Sequence, residues 1–327
     1  MQSMTLAISF AVLLGAGTAM GQQLPTPEVL LASAGFSPDQ VAQVEAGKLV
    51  RGSAPASTPR ELVAVFAFRV DATPATLVDD SRKALLDRVD PNTIGFGSIT
   101  GAPSDFAKLV LTDAIAASFR NAAPGSDLNL STDEIAAFQQ LGPNATTSAV
   151  TTAVHEMLAA RFAAYRAKGL DGIAPYARSD GATRDAAAEL RSALGASPLL
   201  EKYAPNAHRA MAEYPNQKPA GTEENFRWSL FDAHGVPTIA LTHSLFIPDG
   251  DAWVVMQRQF YVSAGYNSME AIGAYLPSQK GTIVVYAGRT STDQVEGFGG
   301  SERRSIGSRV LASQLESMFE KARAKVQ

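Results

Sequence analysis

The sequence predicts an α+β protein in which an antiparallel sheet is packed by a long C-terminal helix and carries a large, mainly helical insertion. Three patterns lead there. From Phe226 to Arg289 the hydrophobic period is two, in blocks separated by turn-rich segments, which is the mark of an antiparallel meander. After Gly297-Phe298-Gly299-Gly300 the period becomes helical, with Ile306, Val310, Leu315, Met318, Phe319, Ala322 and Val326 on one stripe. A helix of that kind directly after a meander packs on the sheet. Between residues 102 and 226 the chain is rich in Ala, with frequent Gly and Pro breaks, and reads as a helical insertion or lobe.

The elements follow in order. Leu6–Gly17 is uncharged and of the length of a secretory h-region, and Ala19-Met20-Gly21 supplies small residues for cleavage before Gln22. Residues 1–21 therefore read as a signal peptide, and the mature chain as periplasmic or secreted, with no stable membrane anchor after cleavage. Residues 22–101 hold N-terminal helices, the first strands and a helix. Ser37-Pro38 caps one helix and Gly47 ends it. Lys48–Arg51 and Glu61–Val70 are strand candidates, the second apolar on both faces. Thr73-Pro74 opens a helix reaching Val89, and Ile94–Ile99 is a strand weakened by its glycines. In the 102–226 segment, Ser131 starts a short helix, Thr147–Lys168 a long one and Arg184–Leu194 a third. Residues 227–327 give strands at Val236–Ile247, Trp253–Val262, Ser268–Leu276 and Thr282–Arg289, then the last helix with Ser301 as its cap.

Composition removes several function classes. The net charge of −4, without a basic block, offers no nucleic-acid footprint. Zero cysteines and four histidines exclude disulfides and thiolate chemistry and leave little for a metal site. No P-loop, dinucleotide fingerprint, G-x-S-x-G elbow, S-x-x-K or H-E-x-x-H occurs. No metal site and no cofactor are expected.

Charge and imidazole instead fall inside apolar strand faces. Ile239, Leu241, His243, Leu245 and Ile247 share a face, as do Val254, Met256, Arg258, Phe260 and Val262. Arg289 follows Ile283, Val285 and Ala287, and Glu270 lies with Ile272 and Leu276. Unpaired buried charge is costly, so these groups are expected to be paired, hydrogen-bonded or beside a wet cavity. His243, Arg258, Tyr261 and Arg289 are the ligand-binding candidates. His243 is a hydrogen-bond anchor or a general base, and the arginines hold a polar head group. The structural alternative pairs Arg289 with Asp293 and Arg258 with Glu270, and leaves His243 as a core histidine. Arg303, Arg304 and Arg309 crowd the first turns of the last helix, the unfavourable end of its dipole. A bound anion at Arg303 and Arg304 accounts for this, as do Glu296, Glu302 or solvent.

The order of Glu61–Val70, Thr73-Pro74 with its helix, Val236–Arg289 and the helix after Gly300 resembles helix-grip (START-like) domains. The tail Val284–Asp293, with Gly299-Gly300 and Arg303-Arg304, is similar to a group of uncharacterised exported bacterial proteins. The resemblance implies a carrier for a small hydrophobic molecule or lipid, held between a curved sheet and the C-terminal helix. Two other functions stay open: a periplasmic hydrolase or lyase using His243 as base, and an envelope interaction module whose protein partner is unknown.

Overall fold

The computed structural model describes residues 24–179, 181–297 and 299–326. The expected signal peptide, with its cut after Gly21, lies outside the described residues. The chain begins with helices α1 (Pro27–Ser33) and α2 (Pro38–Glu45), strands β1 (Val50–Gly52) and β2 (Glu61–Val70), helices α3 (Pro74–Arg82) and α4 (Leu85–Val89), and strand β3 (Thr93–Ser98). It continues through α5 (Asp113–Arg120), α6 (Thr132–Gln140) and α7 (Thr147–Lys168). The short pair β4 (Tyr176–Ala177) and β5 (Thr183–Arg184) follows, then α8 (Ala186–Gly195), α9 (Pro198–Tyr203) and α10 (Pro205–Ala212). The meander β6 (Glu223–Asp232), β7 (Pro237–Asp249), β8 (Ala252–Val262), β9 (Ser268–Ser278) and β10 (Gly281–Ser291) leads to α11 (Gly300–Val326).

The main sheet has eight strands in the order β1-β2-β10-β9-β8-β7-β6-β3, every neighbouring pair antiparallel. The first long strand thus closes against the last, and β3 pairs with β6 across the whole helical stretch between them. Both faces are covered, which is why the strands carry apolar residues on both sides. On one face Phe66, Phe68, Val70 and Val284 meet Phe319 of α11, and Phe246 and Val255 meet Val78 of α3. On the other face three clusters lie side by side. Val65, Ala67 and Ile283 meet α1 and α2 through Leu31 and Val44, and Leu245, Val254 and Met256 meet Leu194, Leu200 and Met211. Phe226, Trp228, Leu241 and Phe260 meet Val154, Leu158, Phe162 and Tyr165 of α7.

Local chemistry sets the element ends. Ser37 and Gln40 form a reciprocal capping box, as do Ser131 and Glu134, and Thr73 accepts from the Thr76 N–H ahead of Pro74. Two expectations are revised. The helix after Thr73 breaks at Ala84, which is left-handed (φ 59°), so α3 and α4 are separate. In α11 the sheet-facing stripe is Leu311, Leu315, Phe319, Ala322 and Val326; Ile306 and Val310 are exposed, because Gly307 is the residue of that turn that lies on Leu62. The glycine-weakened strand expected at Ile94–Ile99 forms, as β3. A Cβ on Gly97 would stand 2.7 Å from the Trp228 indole nitrogen, so glycine there lets the edge strand pass over the ring.

Candidate functional site

The four polar residues singled out on separate strands form one row. His243 of β7 lies opposite Arg258 of β8, Arg258 opposite Glu270 of β9, and Glu270 opposite Arg289 of β10. Directly opposed side chains on one face of an antiparallel pair interact. The row runs across the face away from α11, between the cluster under α7 and the cluster under α8–α10.

Each member has a partner. Arg258 Nε donates to Glu270 Oε2 at 2.6 Å and its Nη1 to the Met211 carbonyl at 3.0 Å. The Arg258–Glu270 pairing is thus as the strand alternation suggested. Burial pushes the Glu270 carboxyl up from its ordinary value, and Arg258 opposes that. Arg289 pairs with Glu61 (2.7 Å), not with Asp293 as the sequence suggested, and also donates to the Pro55 and Ala196 carbonyls. Asp293 is instead held by Arg178, Arg184 and Asn267. Glu61 opens β2, and its alternation with Val63 and Val65 was the available signal for the same face.

His243 is wholly buried. Phe226 stacks on its ring, Tyr165 stands edge-on and Tyr214 is tilted beside it. The Tyr165 hydroxyl is 2.9 Å from Nδ1, and Nε2 is 3.1 Å from Glu224 Oε1, in ion-pair range but out of line for a hydrogen bond. Burial pulls the imidazole down to about 4, with Arg258 and Lys218 acting in the same sense and Glu224 opposing. Burial also disfavours the Glu224 charge, yet His243, Tyr214 and Lys218 outweigh it and hold that carboxyl at about 2. Burial raises Tyr165 to about 12. At neutral pH the ring is therefore uncharged. A nearby carboxylate favours a proton on the nitrogen that faces it, which is the Nε2 tautomer, and in that tautomer Tyr165, still a phenol, donates to Nδ1.

Tyr261 also faces away from α11, for a reason that alternation could not foresee. Leu241 pairs with Tyr261 and Thr242 with Gln259, so Phe260 is an extra residue in β8 and the strand bulges there. Phe260 and Tyr261 consequently both enter the core under α7, and Val262 moves off the face assigned to it. The Arg161 guanidinium sits 4.1 Å over the Tyr261 ring. At the start of α11, Arg303 donates to the Glu296 carbonyl and Arg304 to the Pro59 carbonyl.

Two of the cavities that border the sheet lie on opposite faces. The one under α11, where the ligand was expected, is small, about 40 Å³, and is lined by Gln257, Tyr275, Tyr286 and Phe319 among others. The larger, about 320 Å³, opens on the opposite face. The sheet forms its floor through Val254, Ile272, Ala274 and Val285, and α1 and α9 contribute Leu30, Leu200 and Tyr203. Arg289 stands on its wall, whereas His243, Arg258 and Tyr261 line neither cavity. The row thus reaches the larger cavity only through its Arg289 end. Among the described residues no group of three or more His, Asp and Glu could hold a metal ion, and no helix is long and apolar enough to cross a membrane. Comparison with protein-family models, curated proteins and solved structures finds no match to this chain.

Proposed function

We propose that this protein is an exported binder of a small hydrophobic molecule or lipid, and that the ligand sits in the cavity between the sheet and helices α1 and α9. The observation that carries this reading is the cavity itself: about 320 Å³, walled mainly by apolar residues, with Ser33, Ser53, Ser197 and Tyr203 among its polar lining and Arg289 as its charged group. Small-molecule pockets have that volume and that make-up of apolar walls with a few placed polar groups. The strand order and the connections β2-α3-α4-β3, then β6 through β10 and α11, support reading the sheet as a helix-grip scaffold. In that reading residues 102–226 are an insertion that covers the second face and moves the cavity there. Binding is favoured over catalysis because His243, the candidate base, is wholly buried and lines neither of these two cavities.

The test is saturable binding of a neutral apolar fluorophore, N-phenyl-1-naphthylamine, alongside mass spectrometry of lipids extracted from the purified protein. Ala274→Phe fills the cavity and is expected to abolish probe binding while the protein keeps its circular dichroism. A wild-type protein that neither binds the probe nor carries extractable apolar molecules overturns the reading.

A further inference from the structure

We propose that the ligand is a single-chain amphiphile with an anionic oxygen head, bound tail-in, with that head at the cavity mouth on Lys202, Tyr203 and Ser33. The proposal rests on the cavity reading above and names the ligand class. The lining is polarised. Leu30, Val65, Leu200 and Val254 are buried, whereas Ser33, Ser53 and Pro198 are exposed and mark the mouth. The polar groups of the interior are taken or shut off. Arg289 gives Nη1 to Glu61 and the Pro55 carbonyl and Nη2 to the Ala196 carbonyl, while its Nε and Glu61 Oε1 have no surface open to the cavity. Ser197 Oγ donates to the Ala193 carbonyl, and Tyr286 packs its ring on Phe319 at the other face of the sheet. A head group therefore finds its partners at the mouth.

What the mouth offers is donors and positive charge. The Ser33 and Tyr203 hydroxyls lie 2.9 Å apart, so one O–H is used between them and the other stays free to donate. Lys202 Nζ stands 4.7 Å over the Tyr203 ring, and among the described residues no carboxylate pairs with it. Ser33 and Lys202 together hold the Tyr203 hydroxyl below its ordinary value, so the ammonium acts on that group. The acidic residues of the same two helices point elsewhere. At 100° per residue, Glu201 is about 160° around α9 from both Leu199 and Tyr203, which line the cavity, and Lys202 only about 60° from Leu199. Glu28 is likewise about 160° around α1 from Leu30 and 140° from Ser33. Asp249, beside Leu24, is occupied by the Leu24 N–H. A carboxylate or phosphate accepts from all three groups, whereas an ammonium head would meet Lys202 and a hydroxyl would leave its charge unused.

Competition against N-phenyl-1-naphthylamine at pH 8 and low salt tests this with decanoate, 1-decanol and decyltrimethylammonium, which share one chain. Decanoate is expected to displace the probe at about threefold lower concentration than decanol, and the cation at about threefold higher, the scale of one solvent-exposed charge contact. Lys202→Glu, on an exposed position, should keep probe binding and reverse the order of the two ions. Because a head at the mouth is screened, the preference should shrink toward equality in about 1 M NaCl. If the wild type takes decanol or the cation as readily as decanoate, or Lys202→Glu keeps the wild-type order, the proposal falls while the cavity reading stands. A decanoate preference that survives high salt would place the head inside and overturn the assignment to the mouth. If the probe does not bind at all, the cavity reading itself has failed.

Discussion

His243 makes the fold acid-sensitive in a defined window. An ordinary histidine titrates near 6.5, whereas burial holds this one at about 4. Between those values the unfolded chain binds a proton that the folded chain refuses, so stability rises with pH through the window and is lost as pH falls. With these two values, the single-site linkage relation gives a loss of about 2 kcal/mol between pH 7 and pH 4.5 from this residue alone. Glu224, held at about 2, adds a loss of the same sign at lower pH, from the ordinary carboxylate range downward. The two are neighbours, so the assay must isolate the histidine. Urea unfolding of Glu224→Gln with and without His243→Gln at pH 7 and pH 4.5 does so, because the remaining carboxylates contribute alike to both proteins. The double variant is expected to be less stable at pH 7 but to lose about 2 kcal/mol less on acidification. Equal losses in the two proteins would mean that the imidazole is protonated in the folded state at pH 4.5, and would refute the assignment of a neutral ring.

Three further outcomes are expected. Arg258→Met leaves Glu270 buried and unpaired and should cost about 3–5 kcal/mol in urea unfolding, whereas Arg258→Met/Glu270→Leu should recover most of it; a double variant no better than the single would show that the pair is not an isolated unit. Gly97→Val drives a Cβ into the Trp228 ring and should cost about 1–3 kcal/mol, read as a lower melting temperature with altered tryptophan fluorescence. Excising residues 102–221 and joining β3 to β6 by a short turn is permitted by their antiparallel pairing, but it uncovers the polar row. The shortened chain should lack cooperative unfolding in urea, and an unfolding transition as sharp and late as wild type's would show that the helical stretch is dispensable.

Much of the scaffold is legible because strands and helices leave periodic traces. Glu61–Val70 and Thr147–Lys168 have the bounds that alternation and capping suggest. The polar residues were legible as interruptions of apolar faces, but alternation assigns a face and not a register. That His243, Arg258, Glu270 and Arg289 stand in one line follows from turn lengths and from the β8 bulge, neither of which has a periodic signature. Which layer covers that face is also silent in periodicity, since β2 and β10 are apolar on both sides. The resemblance to helix-grip domains put the cavity under α11, where Phe319 and Tyr286 pack edge to face and leave only about 40 Å³. Glu61 and Glu224 sit at strand starts, where a charge ordinarily reads as solvent-exposed.

The covering layer and the row answer one another chemically. Helix C-termini leave carbonyls without intrahelical partners and carry the negative end of the helix dipole. α8 ends at Gly195, and the next carbonyl, Ala196, accepts from Arg289; the last turn of α10 offers the Met211 carbonyl to Arg258. Tyr165 of α7 turns its hydroxyl to His243. Each cation or imidazole of the row is thus met by a polar group from a different helix of the same stretch. An apolar layer of equal area would bury the hydrocarbon as well but leave these groups without partners, at a cost of several kcal/mol each for the charged ones. The residues that interrupt the apolar strands and the helices that follow β3 are therefore parts of one solution. Where α8 gives way to α9, beside Arg289, that layer stops filling the face, and the cavity begins.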